Sequence, residues 1–145
     1  MSRIIDRTRQ ALGWNNINAS DRRNPSAIRR LAIHHSATPT THITSNFEKG
    51  GWRGNRLGGY HEVILRNGAV EINYNPEIIS WGVGGHNSDT YHICVVGNFR
   101  VGGVQPNADQ MQTLLERIRL NVNRFENVTF EGEVEQGNNF RLHQL

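Results

Sequence analysis

Residues 60–74 read YHEVILRNGAVEINY. Two apolar runs with β-branched content flank Asn67-Gly68, a pair that favours the positive φ angles of a tight turn, so the stretch predicts an antiparallel hairpin. Working outward, residues 91–99, YHICVVGNF, form a short and mostly apolar run rich in β-branched residues. Its composition and length suit a buried central strand, with the hairpin strands as neighbours. Upstream, residues 28–38 read IRRLAIHHSAT. Here Leu31, Ala32 and Ile33 lead into two adjacent histidines and then a Ser-Ala-Thr-Pro breaker, the pattern of a strand that ends at a site.

Helical signals lie between and after these strands. Thr40 to Lys49 suits a short helix, with Ser45 and Glu48 at capping-box spacing and Gly50-Gly51 to end it. Residues 52–59, WRGNRLGG, form a Gly-rich loop. Pro106-Asn107 opens a second helix in which Met111, Leu114, Leu115, Ile118, Val122 and Phe125 recur at helical spacing. That periodicity leaves Glu116, Arg117, Arg119 and Arg124 on the outer face. The weak alternation from Asn127 to Leu145 suggests a last strand. Residues 1–27 read as an N-terminal arm with a short helix, anchored by Ile4, Ile5, Leu12 and Trp14. The elements together predict an α/β fold, a mixed central β-sheet flanked by helices in a single domain.

A chain of 145 residues is large enough to bury a core without covalent staples. Its single cysteine excludes an intrachain disulfide and a cysteine-rich metal knuckle. Cys94, set among β-branched residues in ICVVG, reads as a buried and inert thiol. No apolar stretch approaches the roughly 18 to 20 residues of a membrane span, and the charged start MSRIIDRTRQ is not a signal peptide. The formal charge of +3 is compatible with an anionic partner. However, Lys and Arg never run beyond the pairs Arg22-Arg23 and Arg29-Arg30, as on a solvated basic surface.

Seven histidines, two of them adjacent at a strand end, raise the question of a metal or proton-transfer site. A catalytic zinc takes three protein ligands and keeps one position for water, and strand ends facing one cleft can supply them. His34 and His143 are candidates, although their wide separation in sequence favours structural or surface roles on spacing alone. His42 and His92 receive no role.

Taken in order, IHHSAT at 33–38, GGYHEVILRNGAVE at 58–71, GGHNSDTYHICVVGNF at 84–99, ADQMQTLLERI at 108–118 and RLH at 141–143 resemble the type-2 N-acetylmuramoyl-L-alanine amidases. That family includes small phage lysins and the peptidoglycan recognition proteins. The resemblance covers roughly residues 28–143 and implies zinc held by His34 and His143. It makes Tyr60 the catalytic residue that orients water or steadies the oxyanion, against the plainer reading of a tyrosine packed on its loop. It also implies substrate contacts from His86, with His35, Trp52, Arg56 and His61 along the groove and Arg56 free to pair a stem carboxylate.

By the same resemblance the chain is a zinc-dependent hydrolase of the amide between N-acetylmuramic acid and L-alanine. It would be a monomer acting on peptidoglycan, with no nucleic-acid partner and no membrane insertion. A lysin of this kind is made in the cytoplasm and reaches the wall on release. Hydrolysing members carry a third ligand, Cys or Asp, after the second histidine, whereas only Gln144 and Leu145 follow His143. The C-terminal end of the domain is therefore expected to be missing. A non-catalytic peptidoglycan-binding module, or an inactive truncated amidase, is the alternative.

Overall fold

The computed structural model describes residues 2–14, 17–37, 59–80, 87–99 and 104–128. Five strands form one mixed sheet: β1 (Ile4–Asp6), β2 (Arg30–His35), β3 (Glu62–Ile64), β4 (Val70–Ile72) and β5 (Thr90–Val95), in the order β1-β4-β3-β5-β2. The pair β3–β4 is antiparallel, while β1–β4, β3–β5 and β2–β5 are parallel. Among the described residues two α-helices accompany the sheet, α1 (Thr8–Trp14) and α2 (Ala108–Arg124). This is the expected mixed α/β domain. Among the described residues no helix is long and apolar enough to cross a membrane.

The hairpin forms where its sequence predicts, with a difference in the turn. Only Gly68 takes a positive φ, +84°. Leu65 and Ala69 close the loop, Leu65 N–H donating to Ala69 O at 2.8 Å and Gly68 N–H to Leu65 O at 2.9 Å. The loop is therefore three residues long, with glycine at its left-handed position. The strand at residues 90–95 is buried along its whole length and lies between β3 and β2, so only one hairpin strand borders it. The N-terminal arm contains an unanticipated element: Ile4, Ile5 and Asp6 pair in register with Val70, Glu71 and Ile72 and extend the sheet at one edge.

Helix α2 opens on a reciprocal cap. The Asn107 side chain accepts from Gln110 N–H at 2.8 Å and Gln110 Oε1 accepts from Asn107 N–H at 3.2 Å, satisfying two otherwise orphaned donors. The same two side chains dock the helix start, Asn107 Nδ2 on Arg66 O and Gln110 Nε2 on Val96 O, both at 2.9 Å. Leu114 and Ile118 then join Leu31, Ile33, Ile64, Tyr91, Ile93 and Val95 in the main core. Each such buried aliphatic side chain contributes roughly 1.5–3 kcal/mol.

Arg117, expected on the outer face of the helix, is instead only 8% exposed. Its Nε and Nη2 donate to Glu62 Oε1 and Oε2 at 2.7 and 2.9 Å. Glu62 Oε2 also accepts from Tyr91 Oη at 2.6 Å and Asn121 Nδ2 at 2.9 Å. The helical pattern placed this cation by its polarity, but a buried carboxylate on β3 draws it inward. The expected helix at 40–49 and the last strand after residue 128 lie outside the described residues.

Candidate functional site

Alternation along β2 and β5 decides what reaches the sheet face opposite α2. Leu31, Ile33, Tyr91, Ile93 and Val95 belong to the α2-side core, so Ala32, His34, His92 and Cys94 turn to the other side. The parallel register sets Ala32 beside His92 and His34 beside Cys94. His34 Nε2 thereby comes 2.9 Å from His92 Nδ1. His92 Nε2 lies 3.0 Å from Asn87 Oδ1 on the turn that precedes β5.

His61, just before β3, completes the polar cluster. Its Nδ1 accepts from the His92 backbone N–H at 3.0 Å and lies 3.1 Å from Ser80 Oγ. Its Nε2 lies 2.7 Å from Ile78 O, which can only accept, so the ring is the neutral Nε2–H form. Arg23 Nη2 sits 3.3 Å from the same nitrogen, a cation beside a donor rather than a hydrogen bond. That guanidinium is anchored by donation to Pro76 O, Asn87 O and Ser88 O at 2.8, 3.0 and 3.1 Å.

These surroundings keep His61 and His92 uncharged. Burial, then the Arg23 charge, pushes His61 down to about 3, although its bond to Ile78 opposes the shift. Burial likewise holds His92 well below the ordinary imidazole range, reinforced by His61, His34 and Arg23. Arg23 is itself lowered to about 10 by burial, against the favourable charge of Asp89. At neutral pH His61 and His92 are neutral imidazoles beside the Arg23 cation.

The expected site residues divide by location. His34 is buried and lies under Tyr60, the two ring centroids 5.1 Å apart and tilted by 45°. Tyr60 is half-buried. His61 is wholly buried, beneath rather than along any surface. His35 faces the other way from His34 on the same strand, where its Nδ1 accepts from Phe99 N–H at 2.9 Å. Trp52, Arg56, His86 and His143 lie outside the described residues.

Three participants were not anticipated: His92, Asn87 and Arg23. The signal for His92 was its two-residue spacing from Cys94 on one strand face, which becomes informative only once the register against His34 is known.

The cluster does not fit a zinc ion. Among the described residues no three of His, Cys, Asp and Glu converge to hold a metal. The imidazoles of His34, His92 and His61 are instead strung together through hydrogen bonds to one another and to the backbone, with His34 Nε2 committed to His92. A tetrahedral site needs lone pairs aimed at one point. The zinc cofactor expected at His34, and with it zinc-dependent cleavage of the muramoyl-alanine amide as the primary reading, is therefore corrected. The alternative of a non-catalytic or inactive domain is the better supported of the two.

Residues 23–136 match the family model for N-acetylmuramoyl-L-alanine amidase. Among solved structures, the Ph2119 endolysin from the Thermus scotoductus MAT2119 bacteriophage Ph2119 is similar at 26% identity and a TM-score of 0.73. That match covers 91% of this chain and 84% of the endolysin. Drosophila peptidoglycan recognition protein SD matches at 20% identity and a TM-score of 0.68, over 90% of this chain and 82% of that one. Human PGRP-IBETAC, solved in complex with glycosamyl muramyl pentapeptide, matches at 17% identity and a TM-score of 0.65, over 88% and 81%. At these lower identities the likeness is one of fold. No curated protein sequence matches the chain. The family match spans most of the chain and the sheet carries the fold those structures share, so this protein belongs to the N-acetylmuramoyl-L-alanine amidase family.

Proposed function

We propose that this domain binds peptidoglycan through the sheet face that carries Tyr60 and His34, and that it does not hydrolyse the bound wall. The observation that supports this reading is the hydrogen-bonded histidine cluster. His34 Nε2 is bonded to His92, and among the described residues no three ligands converge on a metal. The family's hydrolytic chemistry needs a polarising centre that this arrangement does not provide. Recognition needs only a shaped surface and well-placed polar groups. The likeness to human PGRP-IBETAC, whose structure holds a glycosamyl muramyl pentapeptide, makes a muramyl peptide the natural ligand class. Tyr60 would supply an aromatic wall over His34, and Trp52, Arg56 and His86 are the further contacts that the family pattern suggests.

The test is co-sedimentation with purified peptidoglycan, combined with measurement of new alanine amino termini with added zinc and with a chelator. Binding without release is the expected result. Chelator-sensitive release would overturn the non-catalytic reading, and failure to sediment with the wall would remove the binding reading.

A further inference from the structure

The polar chain behind His34 does more than fill space. His34 lies on the outermost of the described strands, and an imidazole there has two tautomers and a ring torsion with two comparable orientations. What it meets is His92 Nδ1 at 2.9 Å, and what His92 meets in turn is Asn87 Oδ1 at 3.0 Å. With the amide oxygen facing His92, the sequence of donors and acceptors follows by necessity. His92 carries its proton on Nε2 and gives it to Asn87, its Nδ1 accepts, and His34 carries its proton on Nε2. Turning the Asn87 amide over would reverse every bond and move the His34 proton to Nδ1. The peptide that bears Asn87 is held from behind, since Arg23 Nη1 donates to the carbonyls of Asn87 and Ser88 at 3.0 and 3.1 Å. The His92 backbone is held as well, through its N–H to His61.

We propose that His92 is a positioning residue that fixes the tautomer and ring orientation of His34, and through that ring the seat of Tyr60, with Asn87 and Arg23 as the anchor that sets the direction of the relay. The consequence for ligand binding rests on the reading that the Tyr60–His34 face takes a muramyl peptide. The relay itself is independent of that reading.

Imidazole nitrogens report their protonation directly in long-range proton–nitrogen correlation spectra of the ¹⁵N-labelled protein. The unmodified chain is expected to show His34 as a single Nε2–H tautomer. His92→Leu should give a mixture of His34 tautomers and weaken binding of a muramyl pentapeptide about fivefold to tenfold, the loss of roughly one hydrogen bond. His92→Asn, which restores an acceptor near the lost Nδ1, should return the single tautomer. Asn87→Ala acts on the turn rather than the core and tests the same relay if His92→Leu fails to fold; it too should mix the tautomers. An unchanged His34 pattern in Asn87→Ala or in folded His92→Leu would overturn the relay. A changed pattern with unchanged pentapeptide affinity would overturn the binding reading and leave the relay standing.

Discussion

On the α2 side of the sheet Glu62 is wholly buried, yet each carboxylate oxygen has partners: two bonds from Arg117, one from Tyr91 and one from Asn121. On the opposite side the centre of the sheet holds three buried imidazoles, those of His34, His61 and His92. There Asn73, also wholly buried, has no hydrogen-bond partner among the described residues for either side-chain amide atom. One face thus satisfies its buried carboxylate in full, while the other carries its buried imidazoles beside an amide left unsatisfied. A face kept only for cohesion would not retain an orphaned amide, which costs about 1–3 kcal/mol. Polar burial that lowers stability is the mark of a surface shaped by another requirement. The histidine face is therefore where function is to be sought.

The contrast is most exposed to test at the ion pair. Arg117→Met strands the Glu62 carboxylate in the core and should lower unfolding stability by about 3–5 kcal/mol in denaturant titration. A loss below about 1 kcal/mol would mean that charge burial contributes little to the α2 face.

The next effect belongs to the histidine face and to pH. His61 has a folded value near 3 against 6.5 for the free side chain, so the unfolded chain takes up a proton that the folded one refuses. The stability associated with this group is complete above about 6.5 and is lost as the pH falls towards 3, at up to ~1.4 kcal/mol per unit. Unfolding titrations between pH 7 and 4 should show that decline, and His61→Gln should make it shallower, leaving the part that His92 contributes. A flat profile for the unmodified protein would show that the fold accommodates the imidazolium.

The smallest effect has the opposite sign. Asn73→Leu, nearly isosteric, should raise stability by about 1 kcal/mol. A lower melting temperature would indicate that water serves the amide and that the two faces differ less than their geometry suggests.

Local signals made the hairpin, the strand before His34 and the start of α2 at Asn107 legible, because each rests on residues within one turn or one helix start. Arg117 was misplaced because helical periodicity ranks residues by polarity and cannot see a facing carboxylate. β1 escaped because Ile4-Ile5-Asp6 is too short to show alternation and its partner, Val70–Ile72, is remote in sequence. Within the site, family pattern pointed to His34 and Tyr60, which the fold does set together. The chain His34–His92–Asn87 could not be read in advance, since it depends on a parallel register between strands far apart in sequence.

That register has a kinetic side. Of the four strand pairings among the described residues only β3–β4 joins neighbours in sequence, while the parallel pairs bring together Ile4 with Val70, Arg30 with Thr90 and Val63 with Cys94. Loop-closure entropy must be met before such distant pairs return any stabilisation, which slows the search for the native arrangement. The hairpin can form early and unaided, but the histidine cluster cannot. It comes into being only as β2 docks on β5, so the residues that distinguish this domain acquire their neighbours through a long-range closure rather than a local one.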